Sequence, residues 1–298
     1  MQGLLLIDKP KGVTSFAALS KIKRLCNTKR VGHTGTLDPM ATGVLPVLVG
    51  RATLLCDDIL SSDKEYTAVA RLGIKTDTLD ITGNILRQIP VNTNRDQLLT
   101  VMESFKGKIM QVPPMFSAIK KNGVKLYELA RSGREIKREP RCVNIKDLEL
   151  ISFEKDLFSF RVCCSKGTYI RSLVDDIGEA LGTGAVLTDL RRTKTAGFSI
   201  ENCVELEKLN EENINDFIIS EEQAVINYKQ VFVTQKQAIR FLNGGALDFS
   251  RLPNNTFLQN KEVFRVKYKH TLLGLGIADV EKSALKVKCL TTLSLNAD

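Results

Sequence analysis

The sequence predicts an α/β chain in which strands and helices alternate and strands pair locally, closing with a small all-β module. Three observations predict it. Short apolar or alternating runs, LLLI at 4–7, VLPVLV at 44–49 and FSFRVC at 158–163, have the character of strands. Segments with helical apolar spacing follow the first and the third of these runs. Beyond residue 228 the pattern changes to several short strands around one short helix.

GLLLIDK (3–9) is an apolar strand stopped by the turn formers of KPKG (9–12). Thr14 or Ser15 can cap the helix that follows, with Phe16, Leu19, Ile22 and Cys26 on its buried face and Lys21, Lys23 and Arg24 outside. KEYTAVARLG (64–73) alternates Tyr66, Ala68 and Ala70 against Thr67, Val69 and Arg71, as a half-buried strand does. LFSFRVCC (157–164) puts Phe158, Phe160, Val162 and Cys164 on one face. It runs through Ser165-Lys166-Gly167 into a helix striped by Ile170, Leu173, Val174, Ile177 and Leu181 and stopped by Gly182. The acidic stretch LEKLNEENINDFIISEEQAV (206–225) reads as one or two solvated helices. A boundary near 228 leaves 229–298 as a module near the lower size limit for a core of its own.

Composition narrows the classes. An apolar fraction of 43% in 298 residues supports a buried core. No run is long enough to span a membrane, and the apolar start of MQGLLLIDKPKG is too short for a signal peptide, so a cytoplasmic protein without membrane contact is expected. Seven cysteines with no C-x-x-C spacing suggest neither a disulfide framework nor a zinc ribbon, and two histidines, His33 and His270, are few for a catalytic zinc. The net charge of +9 is clustered. Residues 1–50 carry seven bases against two acids, 106–146 eleven against three, 201–228 one against eight, and 229–298 eleven against five. That clustering favours a polyanionic partner.

GHTGTLDPMATG (32–43) sets one carboxylate, Asp38, among glycines and threonines. Glycines permit close turns beside a ligand and threonines hydrogen-bond without bulk, which suits a rigid, reachable carboxylate; an Asx turn is the structural alternative.

Four stretches, one of them containing this loop, bear on that choice. LLLIDKPKGVTS (4–15), RVGHTGTLDPMATGVLPV (30–47), DKEYTA (63–68) and CSKGTYIRSL (164–173), in this order, resemble the TruB family, the bacterial tRNA pseudouridine(55) synthases. VPPMFSAIKKNGVKLYELARSG (112–133) and AVLTDLRR (185–192) are similar to further family segments, so the resemblance covers most of 1–200.

The resemblance implies a catalytic domain over 1–228 with a mixed, mostly antiparallel sheet, in which 106–146 is an insertion gripping the T-stem loop of tRNA. It also implies a PUA-like β-barrel over 229–298 that contacts the acceptor stem. Asp38 is then the catalytic aspartate, Arg171 its ionic partner and Tyr66 the tyrosine that stacks on the target base. Tyr169 and Leu190 line the nucleotide pocket, His33 meets the RNA beside the flipped nucleotide, and Lys9 and Pro10 support the active-site loop. The implied reaction isomerises a T-loop uridine of tRNA without cofactor or metal, by a monomer that does not act on DNA. Two rival readings are a non-catalytic tRNA-folding chaperone and a metal-dependent nuclease using Asp38 with Asp57, Asp58 or Asp175–Asp176.

Overall fold

In the computed structural model, residues 1–60, 63–121, 123–252 and 259–292 are described. The chain begins with β1 (Gly3–Lys9), α1 (Ser15–Leu25), β2 (Val31–His33), β3 (Thr42–Val49), α2 (Cys56–Leu60), β4 (Lys64–Leu72), β5 (Ile74–Thr76), β6 (Ile85–Gln88) and α3 (Arg95–Ser104). There follow β7 (Gly107–Gln111), β8 (Lys120–Lys121), β9 (Val124–Lys125), α4 (Leu126–Arg131), β10 (Arg141–Glu154), β11 (Leu157–Cys164), α5 (Ile170–Ala180) and β12 (Ala185–Thr195). The rest comprises β13 (Phe198–Ser199), β14 (Val204–Glu205), β15 (Ile218–Ile219), α6 (Glu221–Ala224), β16 (Lys229–Phe232), α7 (Gln235–Leu242), β17 (Leu247–Asp248), β18 (Val263–Tyr268), β19 (Thr271–Asp279) and β20 (Ala284–Leu290).

The main sheet runs β14-β1-β3-β12-β4-β11-β10-β7, with β2, β13 and β15 attached at its side. It is mixed: β1 with β14 and β3 with β12 are parallel, and the other pairs are antiparallel. A second sheet, β16-β18-β19-β20-β17, is built wholly from residues after 228.

Two kinds of strand organise the main sheet. In β4 and β11, Tyr66, Ala68, Ala70, Phe158, Phe160, Val162 and Cys164 point into one core under α1, α3 and α5, and the intervening residues face outward. One covered face gives the alternation seen in the sequence. β1 is covered on both faces, which is why LLLI has no polar member. Leu5 and Ile7 enter that same core, while Leu4 and Leu6 join Leu48, Ala52 and Leu55 and meet Leu272 and Leu275 of the second sheet. The buried Asp58 carboxylate adds polar contacts to this seam, an ion pair with Lys288 and a hydrogen bond accepted from the Tyr228 hydroxyl. Residues after 228 therefore have a core of their own, around Phe241 and Phe264, and also cover part of the larger body.

Three expectations need correction. Phe16 is 75% exposed, because the buried side of α1 is centred on Ala18, Leu19, Ile22 and Cys26. The acidic stretch 206–225 forms 3-10 turns, a strand pairing with β1 and only the four-residue α6. Its Leu206, Leu209 and Ile214 are core residues, and Asn210 holds a turn by accepting from the Glu212 and Asn213 amides, which breaks any helix there. The basic segment 106–146 is also not one excursion, since β7 is the edge strand of the main sheet and pairs with the start of β10, so that only 112–140 leaves it.

Candidate active site

Asp38 lies in the connection between β2 and β3, and buried cations from two other elements fix that connection. Lys9, at the end of β1 and fully buried, donates from Nζ to the carbonyls of Pro10 (2.9 Å), Val13 (2.7 Å) and Pro39 (3.4 Å). Arg192, 1% exposed on β12, donates from Nε to Val44 O at 2.7 Å and from Nη2 to Gly35 O at 3.0 Å. Ser15 grips the peptide next to the aspartate, its Oγ donating to Leu37 O at 3.0 Å and accepting from Leu37 N at 2.9 Å. Gly43 takes a positive φ of 104°, and a Cβ there would stand 2.2 Å from Arg192 O, so only glycine lets β12 pass.

Arg171, in the first turn of α5, brings its Nε to 2.9 Å from Asp38 Oδ2. Its other nitrogens donate to Thr78 O at 3.1 Å and Phe116 O at 2.8 Å, and Nη1 faces Asp80 Oδ2 at 3.8 Å. Asp80 is itself buried and accepts from Thr78 Oγ1, Thr82 N and Thr82 Oγ1. Acceptors on several sides thus fix the guanidinium before any ligand arrives. The Asp38 side chain keeps 36% of its surface open while that of Arg171 keeps 6%. Burial pushes the Asp38 carboxyl above the ordinary carboxylate range, Arg171 pulls it back, and Asp80 adds to the rise.

Tyr66 and Leu190 are neighbours on the inward face, since Tyr66 pairs with Arg192 and Ala68 with Leu190 between β4 and β12. Burial raises the Tyr66 hydroxyl's pKa and Arg192 works against that rise. Tyr169 precedes α5, and the Gln111 side chain holds its peptide, accepting from Tyr169 N at 2.8 Å and donating to Tyr169 O at 3.1 Å. Burial raises the Tyr169 pKa as well, with the Arg171 and Asp38 charges among the lesser influences. His33, at the end of β2, has its pKa lowered by burial and by Arg192, so it is neutral at pH 7; its Nδ1 is buried without a hydrogen-bond partner among the described residues. Pro10 supplies one of the carbonyls that bind Lys9.

The structure thus gathers Lys9, Asp38, Tyr66, Arg171 and Tyr169 into one electrostatic neighbourhood, with Leu190 in the wall and His33 within reach of Arg192. It adds two members that sequence reasoning passed over. Arg192 had a signal, since it stands two residues after Leu190 and so shares its face. Asp80, in DTLDITG, lies outside every motif quoted above. Among the described residues no three His, Cys, Asp or Glu side chains group as metal ligands. Asp58 is tied to Lys288 and Asp175 to Lys75 at 3.3 Å, not to Asp38. No helix among the described residues is long and apolar enough to cross a membrane. An open carboxylate fixed by a guanidinium, beside buried aromatic and apolar walls, can act as nucleophile or base on a ring-bearing ligand.

Comparison with known proteins identifies the family of the chain. Residues 23–170 match the family described as TruB family pseudouridylate synthase (N terminal domain), and 171–226 match the tRNA pseudouridylate synthase B C-terminal domain. A protein named tRNA pseudouridine synthase B from Clostridium tetani is 43% identical over 277 residues, covering 93% of this chain and 95% of its own. Its namesake from Clostridium novyi is 43% identical over 291 residues, 97% of this chain and 99% of its own. Among solved structures, a chain of a Cbf5-Nop10-Gar1 complex superposes with TM-score 0.76 at 28% identity over 97% of this chain and 84% of that one. A chain of an H/ACA RNP bound to a substrate RNA containing 2′-deoxyuridine gives 0.74 at 26%, over 97% and 85%.

Proposed function

This chain belongs to the TruB family of pseudouridylate synthases, and on that premise we propose that it isomerises the position-55 uridine in the T-loop of tRNA to pseudouridine. The observation that carries the reading is the Asp38 carboxylate, open on one side and held by Arg171 Nε at 2.9 Å on the other.

The reaction breaks the bond between N1 and C1′, turns the freed uracil, and joins C5 to C1′. C5 loses a proton and N1 gains one, so atoms balance, nothing is oxidised and no cofactor is called for. Asp38 either attacks C1′ or removes a sugar proton, and both roles require its ionised form. Arg171 favours that form against the burial that opposes it. Tyr66 stacks on the uracil and assists loss of the C5 proton, Tyr169 and Leu190 close the nucleotide pocket, and neutral His33 stands at the RNA surface. Lys9 and Pro10 keep the Asp38 loop in shape. The target base must leave its stack first, at a cost of about a few kcal/mol, which aromatic stacking and phosphate contacts offset.

In this reading 1–228 form the catalytic domain, and the basic excursion beyond β7 clamps the T-stem loop. Residues 229–298 form a PUA-like module, of net charge +6 from eleven bases and five acids, that meets the acceptor stem by shape and phosphate. One copy of the chain suffices for a site made wholly of its own residues. The test is nucleotide-resolved detection of pseudouridine after purified protein meets an unmodified tRNA transcript. Pseudouridine confined to the T-loop position is the expected result; its absence there, or its appearance elsewhere, overturns the assignment.

A further inference from the structure

The outer face of α1 has no task in the proposed chemistry, yet it is not an ordinary solvated face. Phe16 lies on it, 75% exposed. The 3.6-residue period that buries Ala18, Leu19 and Ile22 sets Phe16, Ser20 and Lys23 in a neighbouring stripe that flanks the buried one. The ring's position is set by the catalytic loop. Thr14 Oγ1 caps the helix by accepting from Ala17 N at 3.0 Å, and Ser15 exchanges two hydrogen bonds with Leu37, the residue before Asp38. Phe16 therefore projects from the helical turn bolted to that loop.

Towards its other end the same face becomes cationic. Ser20, Lys23, Arg24, Asn27, Thr28 and Lys29 line one cleft. Between Asp8 and Asp38 the sequence has seven bases and no acid. Four of them are engaged: Lys9 with carbonyls, Lys11 with Asp189, Lys21 with Leu206 O and Arg30 with Thr53. The side chains of Lys23, Arg24 and Lys29 have no ion pair or hydrogen bond among the described residues. An exposed ring followed along one face by unpaired cations, with no carboxylate between them, complements a nucleic acid strand: a base stacks on the ring and phosphates meet the cations. At about 1.5 Å per residue, the eleven residues of α1 span several nucleotide steps.

We propose that the outer face of α1 is a second RNA track. Phe16 stacks on an unpaired base next to the flipped nucleotide, and Lys23, Arg24 and Lys29 take phosphates of the strand leading away from the site. The proposal rests on tRNA being the substrate. Its test uses the full chain, an unmodified tRNA transcript and binding titrations across a range of salt. Phe16→Ala is expected to weaken binding about fivefold or more, the low end for a lost base–aromatic stack. Phe16→Leu, which keeps apolar area without a π face, should behave like Ala, while Phe16→Tyr binds as the parent does. The triple change Lys23→Ala, Arg24→Ala, Lys29→Ala should make the slope of log affinity against log salt shallower by about two, at roughly 0.7 per phosphate on a single strand. Phe16, Arg24 and Lys29 are exposed and Lys23 is half-buried, and melting curves check that the variants fold. Parental affinity in Phe16→Ala or Phe16→Leu, or an unchanged slope in the triple variant, overturns the track. Pseudouridine formation by the parent on the same transcript is read in parallel: its absence refutes the substrate assignment, while its presence beside unaltered variant binding refutes only the track.

Discussion

Lys9, Arg171 and Arg192 around Asp38 are buried, and each donates to backbone carbonyls of the segments that shape the site. In the 112–140 excursion, Lys120, Arg134 and Lys137 are exposed, and an ion pair of Arg138 with Glu135 leaves them aside. The same residue types therefore do different work in the two regions. A buried cation that binds carbonyls stores geometry, because removing it leaves part-buried carbonyls without the donor that held them. An exposed cation without a partner stores nothing in the free protein and is available to a phosphate. Changes near Asp38 should thus act on rate and stability, and changes in the excursion on affinity and its salt dependence.

Asp38→Asn tests this division most severely. It keeps the shape of the side chain and removes its charge, so single-turnover isomerisation should fall below detection while tRNA binds as before. Retained turnover would return the loop to an Asx turn, and joint loss of binding and turnover would indicate misfolding. Arg171→Met comes next. It takes away the charge that holds down the Asp38 pKa, which burial already raises, so ionised Asp38 should appear only at still higher pH. The acid limb of the pH–rate profile should move upward, with a rate loss of about a hundredfold at neutral pH that narrows as pH rises. An unmoved limb would mean that Asp38 does not titrate in the rate-limiting step.

Lys9→Met strikes the carbonyls around the Asp38 loop and leaves Asp38 itself in place. Three carbonyls lose their donor, which should cost about 1–3 kcal/mol in urea unfolding. The rate should fall about tenfold or more as the loop relaxes. A second signature distinguishes lost charge from lost packing. Burial lowers the Lys9 pKa from 10.5 to about 8, so between those values the unfolded chain holds the proton more tightly than the folded one. Stability from this group therefore rises as pH climbs from about 8 towards 10.5, and that increment should vanish in Lys9→Met. Parallel stability–pH curves for the two proteins would contradict it.

The same contrast decides what the sequence disclosed. Strand faces were legible because one covered face of β4 and β11 imposes period two, while LLLI in β1 records that both faces are covered. Asp38, Tyr66 and Arg171 were legible through motifs. Arg192 was hidden because two adjacent arginines suggest solvent, whereas only Arg191 of the pair reaches outward, to Asp8. Asp80 was hidden because its partner is ninety-one residues away in sequence. Phe16 failed for a physical reason: spacing within one helix predicts a stripe, but which side of the stripe is covered depends on the sheet beneath it. In 206–225, acidic composition masked the core residues Leu206, Leu209 and Ile214.

The smallest effect is expected where charges are most exposed. Replacing Lys120, Arg134 and Lys137 together with alanine removes no hydrogen bond made by those side chains to the rest of the described structure. Melting temperature should stay within experimental error, as for most surface substitutions. Binding should weaken severalfold at low salt, and the salt slope should flatten by about two if each cation meets one phosphate. The loss should shrink as salt rises, because screening already weakens the contacts that the parent makes. A drop in melting temperature with an unchanged salt slope would show that these cations hold the fold as Lys9 does, and the division between buried and exposed charge would fail on its own terms.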